Sequence, residues 1–201
     1  DLWRLHAGQG EHLEALLGLW SSPDQMAKDL PKLSEDIPLM PRPAENLREE
    51  PRTALERATV ALKEAIRTDL GNARKLIDEA FKKKVFDGRR AKPPSFEKAF
   101  FELLAGAEIG EWPRGKIGNE TLHIEKLSSA QLQSYCKEGQ VAPQSATFAA
   151  LQAWLEADDL KQEWLKQQRV LLLHQLRSEV RQRLAQLKQL RRQQTYDDLI
   201  D

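Results

Sequence analysis

Eight residues invite a chemical reading first: Gly110-Glu111-Trp112-Pro113-Arg114-Gly115-Lys116-Ile117. The first seven fit a phosphate-binding loop, G-x-x-x-x-G-K, whose backbone N–H groups cradle phosphates while the lysine reaches the terminal ones. The eighth position should carry a hydroxyl to hold magnesium, and here it is Ile117. A helical pattern precedes the loop where a buried strand belongs, and Pro113 removes an N–H from the cradle. The stretch therefore reads as a Gly-rich surface loop without ATPase activity. The four histidines, His6, His12, His123 and His174, are scattered. His6 and His12 stand six apart, which takes them off a common helical face. No Cys/His cluster has metal-ligand spacing, and neither G-x-S-x-G nor H-E-x-x-H occurs. Cys136 is the only cysteine, so no intrachain disulfide forms, which suits a reducing cytosol. It reads as a small, half-buried apolar residue. No catalytic, cofactor-binding or metal residue is assigned within these 201 residues.

Charge offers more. The net charge is zero, with 31 basic and 31 acidic side chains, but it is segregated. Residues 160–192 hold 9 basic and 2 acidic groups, and 61–110 hold 11 and 8. The densest cluster is Arg74, Lys75, Lys82, Lys83, Lys84, Arg89, Arg90 and Lys92, set against Asp78, Glu79 and Asp87. These eight are the candidate DNA-binding residues, placed across a helix end and a turn where long side chains reach phosphates. A solvated helix face explains the same run, and that alternative stays open. Trp20, Trp154 and Trp164 sit at helical spacing among leucines, as core residues do. Trp112, in the Gly/Pro loop, is the tryptophan read as exposed.

The elements that would position these groups are nearly all helical. Leu13, Leu16, Leu17 and Trp20 follow an i, i+3, i+4, i+7 pattern. Ser22-Pro23 starts a helix to about Leu33, and residues 34–46, with three prolines, form an extended connector. A long helix begins near Leu47, with Leu55, Ala58, Leu62, Ala65 and Ile66 on one side. It breaks or kinks near Gly71 and resumes from Ala73 to Lys84. Phe86-Asp87-Gly88 is a turn. Ser95 caps a helix through Ala107 that turns Phe96, Phe100, Leu103 and Leu104 inward. Residues 108–127 are the least helical and admit a short strand pair. Ser128 caps a short helix, and Ser145 opens another through Glu156. From Leu160 to Arg192 there is neither Gly nor Pro, predicting a rod of about 50 Å. Its stripe of Leu173, Leu176, Val180, Leu184, Leu187 and Leu190 needs a partner, which the 47–70 helix supplies as an antiparallel neighbour. The fold class is all-α: a helical subdomain with two long antiparallel helices and a short irregular Gly/Pro-containing segment. No stretch approaches 18 consecutive apolar residues, so no membrane partner is expected.

The rod runs into Arg191-Arg192-Gln193-Gln194-Thr195-Tyr196-Asp197-Asp198-Leu199-Ile200. This resembles the end of subdomain 1B in UvrD-like superfamily 1 DNA helicases, where a long helix leads into an aromatic-Asp-Asp-Leu-hydrophobic segment. The opening Asp1-Leu2-Trp3-Arg4 and the blocks Phe81-Lys82-Lys83-Lys84-Val85-Phe86 and Phe96-Glu97-Lys98-Ala99-Phe100 are similar to the exodeoxyribonuclease V beta chain, the RecB-type helicase-nuclease. Tyr196 stands where Phe is commoner. The chain begins without Met, and both ends read as cut from a larger protein.

The resemblance implies one helical domain over 1–201, an arm with 193–201 beginning the return into a motor domain. It implies a cytoplasmic parent that unwinds and degrades double-stranded DNA ends in recombinational repair with ATP and magnesium. The arm's partners would be the DNA phosphate backbone without sequence preference, the rest of the helicase, and companion helicase-nuclease subunits. The motor and nuclease motifs lie outside this stretch, so the resemblance places no catalytic residue here. Asp197 and Asp198 read as structural residues at a domain junction. A fragment of an AddA- or UvrD-type helicase, or a helical protein–protein adaptor using the apolar stripe, are the alternatives.

Overall fold

The computed structural model describes residues 2–8, 10–35, 38–42, 51–117 and 120–191. In chain order they form α1 (Leu2–Ala7), α2 (Gly10–Leu19), α3 (Pro23–Ser34), α4 (Arg52–Lys82), α5 (Pro93–Ile109), β1 (Lys116–Ile117), β2 (Glu120–Thr121), a 3-10 turn (Ile124–Leu127), α6 (Ser129–Tyr135) and α7 (Ala146–Arg191). The all-α class holds, with α4 and α7 as the two long helices. The only ladder among the described residues is the antiparallel pair β1–β2, two residues a side, with Lys116 opposite Thr121. No helix among them is long and apolar enough to cross a membrane.

Where one domain is expected from the sequence, the chain divides into two compact units. One is Glu50–Lys161; the other joins Asp1–Glu49 to Gln162–Asp201. Each has its own apolar cluster.

In the first unit, α4, α5, α6 and the opening turns of α7 enclose Leu62, Ile77, Phe96, Leu103, Leu132, Phe148 and Leu151. Phe81, Phe86, Phe96 and Tyr135 pack edge-on or stacked, with centroids 5.1–5.9 Å apart, geometry worth about 0.5–1.5 kcal/mol per pair beyond burial. Here α4 and α7 run antiparallel. Thr147 Oγ1 donates to Ala65 O at 3.2 Å, and seven residues on, Trp154 Nε1 donates to Thr59 Oγ1 at 3.2 Å. Asp69 of α4 caps α7 from outside, accepting from Thr147 N at 3.1 Å and from its hydroxyl at 3.2 Å. Ser145 Oγ accepts from Phe148 N beside it. These bonds satisfy N–H groups that every helix start leaves orphaned.

In the second unit, α1–α3 pack Leu2, Leu16, Trp20, Met26 and Leu33 on Leu172 and Leu176 of α7. Ser22 caps α3 by accepting from Gln25 N, with Pro23 in the first turn, and Trp20 Nε1 donates to Asp29 Oδ2 at 3.0 Å.

Five sequence expectations change. Gly71 does not interrupt α4, which runs unbroken for 31 residues; an isolated glycine costs a helix only about 1 kcal/mol, and neighbouring Leu70 and Ala73 contribute to the core. Helix α5 begins at Pro93, with Ser95 inside its first turn bonding back to Lys92 O; proline fits the start of a helix because its missing N–H is unneeded there. Leu104 faces outward, 48% exposed. The helix opened by Ser145 and the rod after it are one helix of 46 residues. Finally, the rod's stripe does not take α4 as its partner. Leu176 and Val180 pack with α1–α3, while Leu184, Leu187 and Leu190 stay 41%, 48% and 80% exposed. The segment 193–201 and Arg192 lie outside the described residues.

Candidate nucleic-acid interface

The basic cluster is built by the way α4 ends. Lys83 N donates to Glu79 O, Lys84 N to Phe81 O and Val85 N to Ala80 O. These bonds close the last turn and use its orphaned carbonyls. Lys84 takes the left-handed conformation at φ 54°, which glycine usually fills. The chain then turns back under tight control. Phe86 bridges Cys136 as a lone antiparallel pair, Asp87 N donates to Tyr135 O at 2.8 Å, and Lys137 N to Val85 O at 3.0 Å. Asp87 also organises the turn, its carboxylate accepting from Arg89 N at 3.0 Å and its carbonyl from Arg90 N and Ala91 N. Phe86 and Ala91 are buried on either side. Arg89 and Arg90 therefore project from a short loop pinned at both ends.

All eight candidates are exposed. The structure brings Lys82, Lys83, Lys84, Arg89, Arg90 and Lys92 to the α4–α5 connection. Lys75 shares a helical face with Lys82, seven residues on. Arg74 turns toward α5, its guanidinium 5.7 Å from the centre of the Phe100 ring. Lys83 pairs with Glu79 at 3.0 Å. Three consecutive lysines also complement the negative end of the α4 dipole, so part of this cluster has a local purpose.

The Gly110–Lys116 loop has another shape than a phosphate cradle. Gly110 is the left-handed cap of α5, with φ 87° and its N–H bonded to Gly106 O. The loop follows a helix and leads into a strand, whereas a phosphate-binding loop follows a strand and opens a helix. Trp112, read from the sequence as exposed, is 2% exposed. Its Nε1 donates to Leu103 O at 2.8 Å, and its ring packs edge-on against Trp154 at 5.3 Å. The loop is thus folded back onto α5 by its own tryptophan.

Arg114, which nothing in the spacing singles out, binds three carboxylates at once. It reaches Asp159 at 2.6 Å, Glu125 at 2.9 Å and Asp158 at 3.0 Å. Burial opposes its charge, but bonds to Asp159, Glu125 and Asp158 outweigh that and raise its pKa. It clamps the loop to the 3-10 turn and to α7.

The histidines also differ from expectation. His6 and His12 meet because the chain breaks at Gly8 between α1 and α2, so the single-helix spacing rule does not apply. Their rings stack at 5.7 Å with Nδ1 atoms 3.5 Å apart. His6, 3% exposed, has Nε2 at 3.2 Å from Glu179 Oε1, within ion-pair distance but poorly aligned as a hydrogen bond. Glu179 and His12 approach opposite nitrogens of one ring, so they do not converge on a point. Among the described residues no group of three His, Cys, Asp or Glu side chains has the arrangement of a metal site.

The chain matches no protein-family model and no curated protein.

Proposed function

We propose that this chain is a DNA-binding helical arm, equivalent to subdomain 1B of a RecB-type helicase-nuclease. The observation that carries the reading is the anchored turn at the end of α4, which displays Lys82, Lys83, Lys84, Arg89 and Arg90 on a support fixed by Phe86 and Ala91. Duplex DNA carries a dense row of phosphates, and lysine and arginine on a firm base meet them without reading sequence. The resemblance of Tyr196–Ile200 adds the family, and with it a cytoplasmic parent using ATP and magnesium on double-stranded ends alongside companion subunits. In such a parent this chain contributes position and charge, while hydrolysis takes place in the motor.

The test is duplex affinity of the chain, and of the parent enzyme, with Lys82, Lys83 and Lys84 reversed to Glu. Binding should fall by similar factors on unrelated sequences. The log–log salt slope should shrink by about 0.9 for every phosphate that no longer meets a cation. Unaltered affinity and unwinding in the parent would reduce the cluster to a solvated helix end. A second reading, a helical adaptor, is supported by the exposed Leu184, Leu187 and Leu190. An apolar interface there would hold at salt concentrations that strip a phosphate-bound protein.

A further inference from the structure

The outer face of α5 presents what a DNA arm does not need. Phe101 is 74% exposed and Ile109 76%. Together with Ala105, Trp112, Leu122 and Ile124 they line a cleft of about 170 Å³. A pocket of about 150 Å³ is enough to take a benzene ring, so this one has room for one large apolar side chain. Eight residues place these two exposed hydrophobics about 80° apart around the helix, on adjoining faces that give the cleft an apolar rim as well as an apolar floor.

Charge selects the occupant. Glu102 and Glu111 line the cleft, with no basic side chain among the lining residues. Glu108 adjoins Ile109 on the same exposed edge. Among the described side chains the basic groups nearby are Lys63, whose ammonium lies over Gly110, Lys98 one turn earlier on α5, and Arg114, which is already bound to Asp159, Glu125 and Asp158, so the carboxylates of Glu102, Glu108 and Glu111 are in excess. This surface repels phosphates, which separates it from the basic turn at the other end of α5. An apolar cleft edged with carboxylates fits a helix that is apolar on one side and cationic at its margins.

We propose that the Phe101–Ile109 cleft docks a basic amphipathic helix of another protein, inserting one large apolar side chain over Trp112 and pairing Lys or Arg with Glu108 and Glu111. The inference does not rest on the helicase reading, and it assigns this face to protein rather than nucleic acid.

The experiment uses the whole chain and a fluorescein-labelled helical peptide with Leu at i, i+4 and i+7 and Lys elsewhere. Anisotropy should show saturable binding of one peptide per chain, weakened by added salt. Phe101→Asp should reduce affinity roughly tenfold or more, as loss of a central aromatic anchor does. Phe101→Leu should retain most of it, and Glu108→Lys with Glu111→Lys should weaken it and steepen discrimination against the peptide. Phe101, Glu108 and Glu111 are exposed, so these variants keep the core, and circular dichroism checks that they do. Equal binding by wild type and Phe101→Asp overturns the proposal. So does equal binding of the matching peptide with Glu in place of Lys. Sedimentation supplies the last arm: a dimer that dissociates on Phe101→Asp would make the occupant a second copy of this chain and overturn it as well.

Discussion

Two single residues do more for this fold than their types announce. Asp69 lies in mid-helix on α4, yet caps the start of α7 through Thr147 N and Oγ1. Burial opposes its ionisation, but bonds from Asn72, Thr147 and Ser145 outweigh that and hold its carboxyl below the usual range. A carboxyl depressed on folding stabilises the folded state above its unfolded value, about 3.9. That contribution fades as pH falls through the lower folded value. Asp69→Ala should therefore cost about 1 kcal/mol near neutrality, and chemical denaturation should show the gap from wild type closing in acid. A constant gap from pH 7 to pH 2 would make the aspartate a packing residue only. Lys84 is the second case. Left-handed geometry costs an L-residue about 1–2 kcal/mol, of which glycine's extra unfolded-state freedom returns about 0.5–1. Lys84→Gly should raise the unfolding free energy by up to about 1 kcal/mol, measurable as a higher urea midpoint at unchanged slope.

At the scale of elements, the interior of α5 is matched to one tryptophan. A Cβ at Gly106 would collide with the Trp112 ring and sit 2.7 Å from Glu111 O. The backbone neighbour cannot swing aside, so Gly106→Ala should displace the loop. Overpacking of this kind costs about 1–3 kcal/mol, and tryptophan emission should shift to the red as the indole meets water. For α7 the contrast is between neighbours on one stripe. Leu176→Ala, in the core at 0% exposure, should cost about 2–5 kcal/mol. Leu184→Ala, at 41%, should cost no more than about 0.5. Helix existence is legible from the sequence because 3.6-residue periodicity, Ser22, Ser128 and the prolines each act locally. Partner choice is not. The stripe on 173–190 has the same pattern whether α4 or α1–α3 covers it, and only the fold decides where the cover stops. Trp112 escapes the sequence for a related reason: loop composition says nothing of a ring that folds back nine residues to Leu103 O. The eight cationic candidates are visible as a run of charge, whereas the cleft at Phe101 is hidden in a helix whose other aromatics, Phe96 and Phe100, are core.

The whole molecule carries no net charge, with a sequence pI near 7.1. Long-range attraction to a polyanion should therefore be weak, and a phosphate would feel the basic turn only within a Debye length of about 8–10 Å at physiological salt. Association with duplex should be slow compared with strongly basic proteins, and stopped-flow rates should respond to salt only modestly while equilibrium affinity responds strongly. Two separate apolar clusters make a further expectation possible. Leu103→Ala should speed amide exchange in α5, α6 and the adjoining turns, and Leu176→Ala should do so in α1–α3. Uniform acceleration over all helices in both variants would show that the clusters open as one cooperative unit.

The pairing of Phe86 with Cys136 also equips the protein with a clock. Cys136 is the sole thiol in the chain, half-buried, its Sγ 3.4 Å from Leu132 O and its pKa pushed up by burial. Alkylating reagents attack the thiolate, so labelling in the closed state is slow. Opening of the bridge would expose the thiol further and release the root of the Lys82–Lys92 turn at the same time. The rate at which a maleimide consumes Cys136 should therefore rise with openings of that turn, with no engineered probe. A ligand that grips the turn would slow the count, while one seated at Phe101 would leave it running at its former pace.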